Sequence, residues 1–459
     1  MSSLVSIVSD SLKRLRSPKA YVVALSGGID SCVLLHALIN MDLAAPVRAI
    51  HIHHGLHEKA DAMVTHCEKL CADVGAPLSI RHIEDSFKPG ESVEAWARDR
   101  RYQVFADYLK KGEMLLTAHH ADDQAETFLL QALRGAGPAG LSAMAEYKTF
   151  AKGYLVRPLL QTNRLSIEAY ANEKGISWCD DPTNSNLDFD RNYIRNQVMP
   201  LLKARYPNAH ETLSRAAQHC QKANAHQDSL AASDLTTVRG QTSATISLSR
   251  LDDLNRARKE NVLRFWLKNI HGVSLPSSVV LARIIDEIMQ ANIDKNPCVD
   301  WVLAHDKSPS SIISARDDFT LLKGERVAVT RYRDTLMCVP YDVFKAQAFA
   351  TEWRLDGSCY LPQGHLKVEQ KRGQGIRVPE DVILSVCTSK PGVRFKPETS
   401  KQSRPLKKCW QDWGVPLHVR NRVPLIFLDG VCVEVVGYSR HADYVVDHDE
   451  MGYVITWTQ

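Results

Sequence analysis

One short passage constrains this chain most: the apolar run YVVAL, residues 21–25, leads directly into Ser26-Gly27-Gly28-Ile29-Asp30-Ser31 and a helical pattern, SCVLLHALIN. A strand that is apolar throughout needs cover on both faces, as in a buried parallel sheet. Two glycines let the backbone turn sharply and approach an anion closely. The helix start just beyond them presents unpaired N–H groups with partial positive charge. Part of this pattern would suit a plain strand-to-helix turn; the whole of it reads as a phosphate-binding loop. No Lys follows the glycines, so it is not a Walker A loop, and GxGxxG is absent.

The next hundred residues repeat the alternation. VRAIHIHH at 47–54, an amphipathic stretch at 60–74, LSIRHI at 78–83, a second amphipathic stretch near 92–110 and EMLLTAHH at 113–120 predict strands separated by helices. That order gives a parallel sheet wrapped by crossover helices. Ligands of such sheets sit at the carboxyl ends of strands, so chemistry is expected in the loops after Leu25, Ile52 and Ala118.

At roughly 100–200 residues per domain, 459 residues leave room for more than one core. From Pro207 the sequence turns long, polar and helical, then reaches the strand-like runs SSIISA and RVAVTRY. This predicts a mainly helical middle region ending in a small sheet. Residues 341–459 hold short strand candidates, GHLKVEQ, VPLIFL and VCVEVVGY, broken by Gly and Pro, and read as a small α+β module.

Ordinary proportions of apolar and charged residues exclude a collagen-like, wholly disordered or membrane-embedded chain. No apolar run approaches the ~20 residues needed to span a bilayer. The opening MSSLVSIVSDSLKRLRSPK places its basic residues last, the reverse of a secretory signal. Eleven Cys without a CxxC pair read as free thiols in a reducing compartment. The expectation is a cytoplasmic protein without membrane contact.

Net charge is only +4, but it is uneven. Residues 366–425 carry thirteen Lys or Arg against five acids, a local +8, which leaves −4 on the other 399 residues. Such a module beside a nucleotide site reads as a surface for an RNA backbone, the plainer reading being a solvated basic face.

If the helix after LLTA starts near His119, then His119, Asp123 and Glu126 share one face aimed at the crevice of the phosphate loop. Carboxylates there suit Mg²⁺ together with phosphate oxygens, or a cationic amine, and acids in a first helical turn are also ordinary capping chemistry. A zinc site on HHxxD lacks further ligand spacing. Arg98 with Arg101, and Arg191 with Arg195, each present two guanidiniums on one side of a helix, suited to phosphate, carboxylate or solvent. Trp96 and Tyr102 read as core residues. His53 and His54 end a strand and suit either a structural role or contact with a nucleoside.

The loop SGGIDS after a buried strand resembles the pyrophosphate loop of the N-type ATP pyrophosphatases, which cleave ATP to AMP and pyrophosphate while adenylating a carbonyl oxygen. Four further segments are similar to one family within them, the tRNA(Ile)-lysidine synthetases: HIHHGLH (51–57), ESVEAWARDRRY (91–102), TAHHADDQAETFLLQALRGAGPAGLSAM (117–144) and DDPTNSNLDFDRNYIRNQVMPLL (180–202). PLKKCWQDWGVPLHVRNRVPLIFLDG resembles their C-terminal domain.

The resemblance implies an α/β architecture with a Rossmann-like parallel sheet as PP-loop ATPase domain over 1–206. A mainly helical substrate-binding domain over 207–340 and a small basic α+β tRNA-binding domain over 341–459 would follow. It implies a ligase that uses ATP and Mg²⁺ to join L-lysine to the wobble cytidine of isoleucine tRNA with a CAU anticodon. Ser26, Gly27, Gly28, Ile29, Asp30 and Ser31 would bind ATP, with Asp30 and Asp123 near the metal. Asp30, His119, Asp123, Glu126, Arg98 and Arg195 would serve adenylation and lysine recognition, their roles undivided. Arg191, Lys401, Arg404, Lys407, Lys408, Arg420 and Arg422 would meet the tRNA. Oligomeric state stays open, a homodimer included. Two other readings are a tRNA thiolase, against which the lack of CxxC counts, and a non-catalytic RNA-binding protein with a relict nucleotide pocket.

Overall fold

The apolar run at Tyr21 forms a strand in the computed structural model, which describes residues 3–458 apart from 54, 56–59, 84–92, 181–185, 292–296, 304–312, 315–319, 322–324, 346–348 and 389. The described residues group into two units, one ending at Leu230 and the other beginning at Ala231.

The first unit opens with helix α1 (Leu4–Lys13), β1 (Tyr21–Ala24), α2 (Ile29–Ile39), β2 (Val47–His53), α3 (Ala60–Val74), β3 (Leu78–His82), α4 (Val93–Tyr108), β4 (Met114–Leu116) and α5 (Ala121–Leu133). It continues with α6 (Pro138–Leu141), the hairpin β5 (Tyr147–Phe150) and β6 (Gly153–Val156), α7 (Arg164–Lys174), α8 (Asp190–Tyr193), a π-helical turn (Ile194–Val198), α9 (Met199–Arg205) and α10 (Ala209–Val238), whose last residues from Ala231 belong to the second unit. The expected strands and crossover helices are all present. The helix at Leu4, the β5–β6 hairpin and α7 lie outside what the periodicity predicted.

The strand order is β3-β2-β1-β4-β6-β5, parallel except for edge strand β5. Both faces are covered, as the apolar β1 demands. Tyr21 and Val23 face a cluster with α1, α2, α3 and α7, while Val22 faces Tyr102 and Phe105 of α4 and Leu109 just beyond it. The chain leaves β1 toward one side of the sheet for β2 and returns to the other side for β4. This reversal makes the crevice beyond β1 and β4 the switch point where ligands of such sheets bind.

The second unit holds β7 (Ile246–Ser247), α11 (Leu248–Asp252), α12 (Arg256–Phe265), α13 (Ser278–Arg283), β8 (Cys298–Val302), β9 (Ile313–Ser314), β10 (Thr320–Leu321), β11 (Arg326–Tyr332) and β12 (Thr335–Pro340). Helices and the antiparallel sheet β7-β12-β11-β8 close over buried Trp266, Leu267 and Ile284. Beyond Tyr341 come β13 (Ala350–Trp353), β14 (Cys359–Leu361), β15 (Gly364–Arg372), β16 (Leu384–Cys387), β17 (Arg394–Phe395), β18 (Arg404–Pro405), α14 (Leu406–Asp412), α15 (Leu417–Arg420), β19 (Leu425–Leu428), β20 (Val431–Val435), β21 (Ser439–Arg440) and β22 (Met451–Thr458). Antiparallel sheets and two short helices make this an α+β arrangement, as expected. No helix among the described residues is long and apolar enough to cross a membrane.

Candidate active site

The phosphate loop is built around Gly27, whose φ of +88° is left-handed and disfavours any side chain. A Cβ there would also meet Cys67 Sγ at 3.3 Å, so helix α3 packs directly beneath the loop. Ser31 Oγ accepts from the Ser26 amide at 3.1 Å and donates to the Gly28 carbonyl at 2.9 Å, which ties the turn to the first helical residues. Gly28 caps α2 without a side chain, and the amides of Ile29 and Asp30 have no acceptor among the described residues. These open donors at the end of β1 suit an anion. The Cys179 amide binds the Gly27 carbonyl at 2.9 Å and brings the chain after α7 to the loop.

Across the switch point, the segment after β4 corrects one expectation. Helix α5 begins at Ala121, not near His119, because His120 takes the extended capping conformation. His119 precedes the helix and bonds Thr117 Oγ1 at 3.0 Å. The two neighbouring histidines are driven apart. Burial holds His119 well below the usual imidazole range, and the cations of Arg157, Arg191 and Arg98 add to that against Asp123. Burial would lower His120 too, but Asp123, Asp122 and Asp30 surround it and raise it instead. Its Nε2 lies 3.7 Å from Asp30 and 3.5 Å from Asp123, so His120 bridges the phosphate loop and α5.

Asp123 and Glu126 stand one turn apart on α5 and are almost fully buried. Ala125, Leu129 and Leu130 of α5 pack on Ile194, Val198 and Met199, which sets the Arg-bearing helix opposite them. Arg191 donates to Asp123 at 2.8 Å and Glu126 at 2.9 Å; Arg195 donates to the same two at 2.9 and 2.7 Å. The π-helical turn follows Arg191, with the Met199 amide reaching back to the Ile194 carbonyl. Such turns recur at functional sites. Burial disfavours a charged Asp123, but His120, Arg191, His119 and Arg195 hold its carboxyl well below the usual range. Arg191, expected on the tRNA, is thus placed with Arg195 on the two carboxylates.

Asp30 behaves differently. Burial pushes its carboxyl up, and His120 and Arg164 only partly offset that. Arg164 grips both Asp30 oxygens at 2.9 and 2.8 Å. Asp122 accepts from the Arg164 amide at 3.0 Å and from Lys203 at 3.1 Å. Arg164, Lys203 and the bridging role of His120 escaped the sequence reading. No motif marks Arg164 or Lys203, which lie far along the chain from their partners.

Of the remaining expected residues, Arg98 lies over the Tyr102 ring at 5.0 Å and Arg101 at 5.9 Å, so the pair does share one side of α4. Trp96 and Tyr102 are buried, as expected of core residues. His53 pairs with Asp61 at 3.0 Å, while His54 lies outside the described residues, as do residues 181–185 of the DDPTNSN loop.

Among the described residues no three His, Cys, Asp or Glu side chains are arranged to hold a metal. All eleven cysteines are free thiols, and burial pushes Cys32 beside the loop up to about 12. A magnesium ion that arrives with phosphate oxygens needs only one or two protein carboxylates. Asp30, which accepts from Arg164, fits that need better than Asp123, which accepts from Arg191, Arg195 and the His120 amide.

In the second unit, α14 buries Leu406, Cys409 and Trp410 and turns Lys407 and Lys408 outward. These two and Lys401 are exposed and have no ion-pair partner among the described residues. Arg404 pairs with Asp412, and Arg420 donates to the Val415 carbonyl and lies over Tyr332. Arg422 is half-buried. Residues 426–459 carry six acids against Arg440 alone, and three of the basic residues upstream are drawn to them: Arg372 to Asp449, Arg377 to Asp447 and Glu450, Lys396 to Asp443. The open basic surface is therefore narrower than the +8 window.

The sequence matches three domain families: the PP-loop domain over residues 3–202, the TilS substrate binding domain over 246–305 and the TilS substrate C-terminal domain over 384–457. A tRNA(Ile)-lysidine synthase of Coxiella burnetii is 36% identical over 444 residues, spanning 96% of this chain and 93% of that protein. One from Shigella flexneri is 36% identical over 450 residues, spanning 97% and 98%. One from Legionella pneumophila (strain Paris) is 35% identical over 429 residues, spanning 93% of each.

Proposed function

The chain belongs to the tRNA(Ile)-lysidine synthase family, and from that premise we propose that it ligates free L-lysine to carbon 2 of the wobble cytidine in the CAU anticodon of isoleucine tRNA. ATP is consumed, AMP and pyrophosphate are released, and the anticodon then reads AUA as isoleucine instead of AUG. The observation that carries this reading is the opposition of two sites across one crevice. The open amides of the phosphate loop lie on one side, and the Asp123–Glu126–Arg191–Arg195 cluster on the other, with His120 between them.

The chemistry needs two displacements. The cytidine O2 attacks the α-phosphorus, and the bond to pyrophosphate breaks; the amides of Ile29 and Asp30 hold the departing anion. The lysine amine then attacks C2 and AMP leaves with the former O2. Adenylation is required because an unactivated amide-like oxygen is a poor leaving group. Asp30 would hold Mg²⁺, whose contribution is charge neutralisation on the phosphates. Two carboxylates and two guanidiniums in one cluster complement a zwitterion: Asp123 and Glu126 suit an ammonium, Arg191 and Arg195 a carboxylate. The target base must leave its stack to enter. Methionine tRNA has the same unmodified anticodon, so discrimination falls to other parts of the RNA and to the middle and C-terminal regions.

The test is direct. Purified protein, labelled lysine, ATP and an isoleucine tRNA transcript should yield labelled RNA and AMP in equal amounts. RNA binding with no AMP would favour the relict-pocket reading. Sulfur transfer in place of lysine would favour a thiolase, which the absence of any paired-cysteine motif disfavours.

A further inference from the structure

We propose that Arg164 is a pyrophosphate-binding residue that also restrains Asp30, so that a divalent cation enters the phosphate loop with the nucleotide and not before it. The proposal rests on the ATP-cleaving reading above and concerns how that same site is loaded.

Arg164 opens α7, where Asn163 Oδ1 caps the helix by accepting from the Ser166 amide. Its own amide is tied to Asp122 of α5, so its backbone is fixed at the crevice. The guanidinium has five N–H donors. Nε donates to Glu168 at 2.9 Å, and Nη1 donates to both oxygens of Asp30. The two hydrogens of Nη2 have no acceptor among the described residues, and the side chain is 37% exposed. A planar cationic fork with spare donors, one carboxylate away from the open amides of Ile29 and Asp30, suits a phosphate oxygen.

The same contact bears on the metal. A carboxylate freed of Arg164 would be open to Mg²⁺, whereas Arg164 already neutralises Asp30. A polyphosphate changes the balance. It takes up the Nη2 donors and supplies the additional oxygens that Mg²⁺ requires. Because binding free energies are reciprocal, whatever makes Mg²⁺ depend on pyrophosphate makes pyrophosphate depend on Mg²⁺.

Titration calorimetry on the full chain tests this with three probes: pyrophosphate with Mg²⁺, pyrophosphate alone, and Mg²⁺ alone. The natural protein should bind the first, the second more weakly, and show no binding of the third at about millimolar concentration. In Arg164→Gln, pyrophosphate affinity should fall roughly tenfold, and Mg²⁺ alone should bind measurably at the released Asp30. Arg164→Lys keeps a charge without the fork and should lie between the two, which gives a readout even if the Gln variant does not fold. Pyrophosphate affinity within about twofold of the natural protein in both variants would overturn the proposal. So would Mg²⁺ binding alone to the natural protein as tightly as to the Gln variant. Failure of the natural protein to bind pyrophosphate under any condition would count against the ATP-cleaving reading itself.

Discussion

Asp30 and Glu126 are both carboxylates near arginines, yet they invite different experiments. Asp30 belongs to the phosphate loop and is held by Arg164. Asp30→Ala should abolish AMP release while tRNA binding, measured by filter retention, stays within a few-fold; equal loss of both would contradict its assignment to the nucleotide. Glu126 is 2% exposed and accepts from two guanidiniums. Glu126→Gln leaves Arg191 and Arg195 with Asp123 as their shared carboxylate; removing one partner of a buried pair costs about 3–5 kcal/mol, and less here because Asp123 remains and the guanidiniums are partly exposed. The thermal midpoint should fall by several degrees, and the KM for lysine should rise at least roughly tenfold with the KM for ATP little changed. An unchanged lysine KM would remove Glu126 from the amino-acid site. At this scale the sequence was legible wherever partners share a motif. Asp123 with Glu126, and Arg191 with Arg195, could be paired by helical spacing. Arg164 could not, because it meets Asp30 across 134 positions, and nothing local to Asn163-Arg164-Leu165 announces the contact. Helix α5 begins two residues beyond His119, which puts His120 at its cap, and local spacing does not fix a helix start that closely.

Strands and helices were easier to foresee than their partners. An all-apolar YVVAL requires a buried parallel strand, and the phosphate loop follows from Gly27, whose left-handed φ no β-branched residue would tolerate. The β5–β6 hairpin went unread because half of it, Tyr147–Phe150, is an exposed edge with a polar pattern. In the C-terminal region, strand β20 carries an acid into the interior. Glu434 is 4% exposed, one of its oxygens has no hydrogen-bond partner among the described residues, and the Arg440 guanidinium stays 3.9 Å away. Burial pushes its carboxyl up to about 7, Arg440 opposing and Glu398 adding to the shift. The folded chain therefore keeps a proton that the unfolded chain loses from about pH 4.5 upward. Stability should decline as pH rises from there to about 7 and stay reduced above it. Glu434→Gln should remove that part of the slope and gain roughly 1–3 kcal/mol at pH 8, by urea denaturation at several pH values. A variant whose stability tracks the natural protein at every pH would show that Glu434 ionises without cost.

Charge is the property that has to be judged over the whole molecule. The average of +4 conceals a basic stretch, and that stretch is in turn partly answered by the acids of residues 426–459. A count along the sequence finds the first fact, but only folding reveals the second, because Arg377 and Lys396 meet their acids some fifty to seventy positions downstream. Among the cations that remain exposed without an ion pair among the described residues are Lys401, Lys407 and Lys408, the last two presented by α14 because Leu406, Cys409 and Trp410 take its buried face. Each phosphate contact that releases counterions contributes about 0.9 to the slope of log affinity against log salt. Reversing Lys407 and Lys408 to Glu together should weaken isoleucine tRNA binding at low salt and flatten that slope by about 1–2 units, with the fold intact because neither side chain is buried. Reversing Arg377 and Lys396, already neutralised by their acids, should change the slope far less. Equal effects from the two pairs, or an unchanged slope in the first, would mean that the RNA backbone does not lie on α14 and that the basic residues serve the protein's own acids.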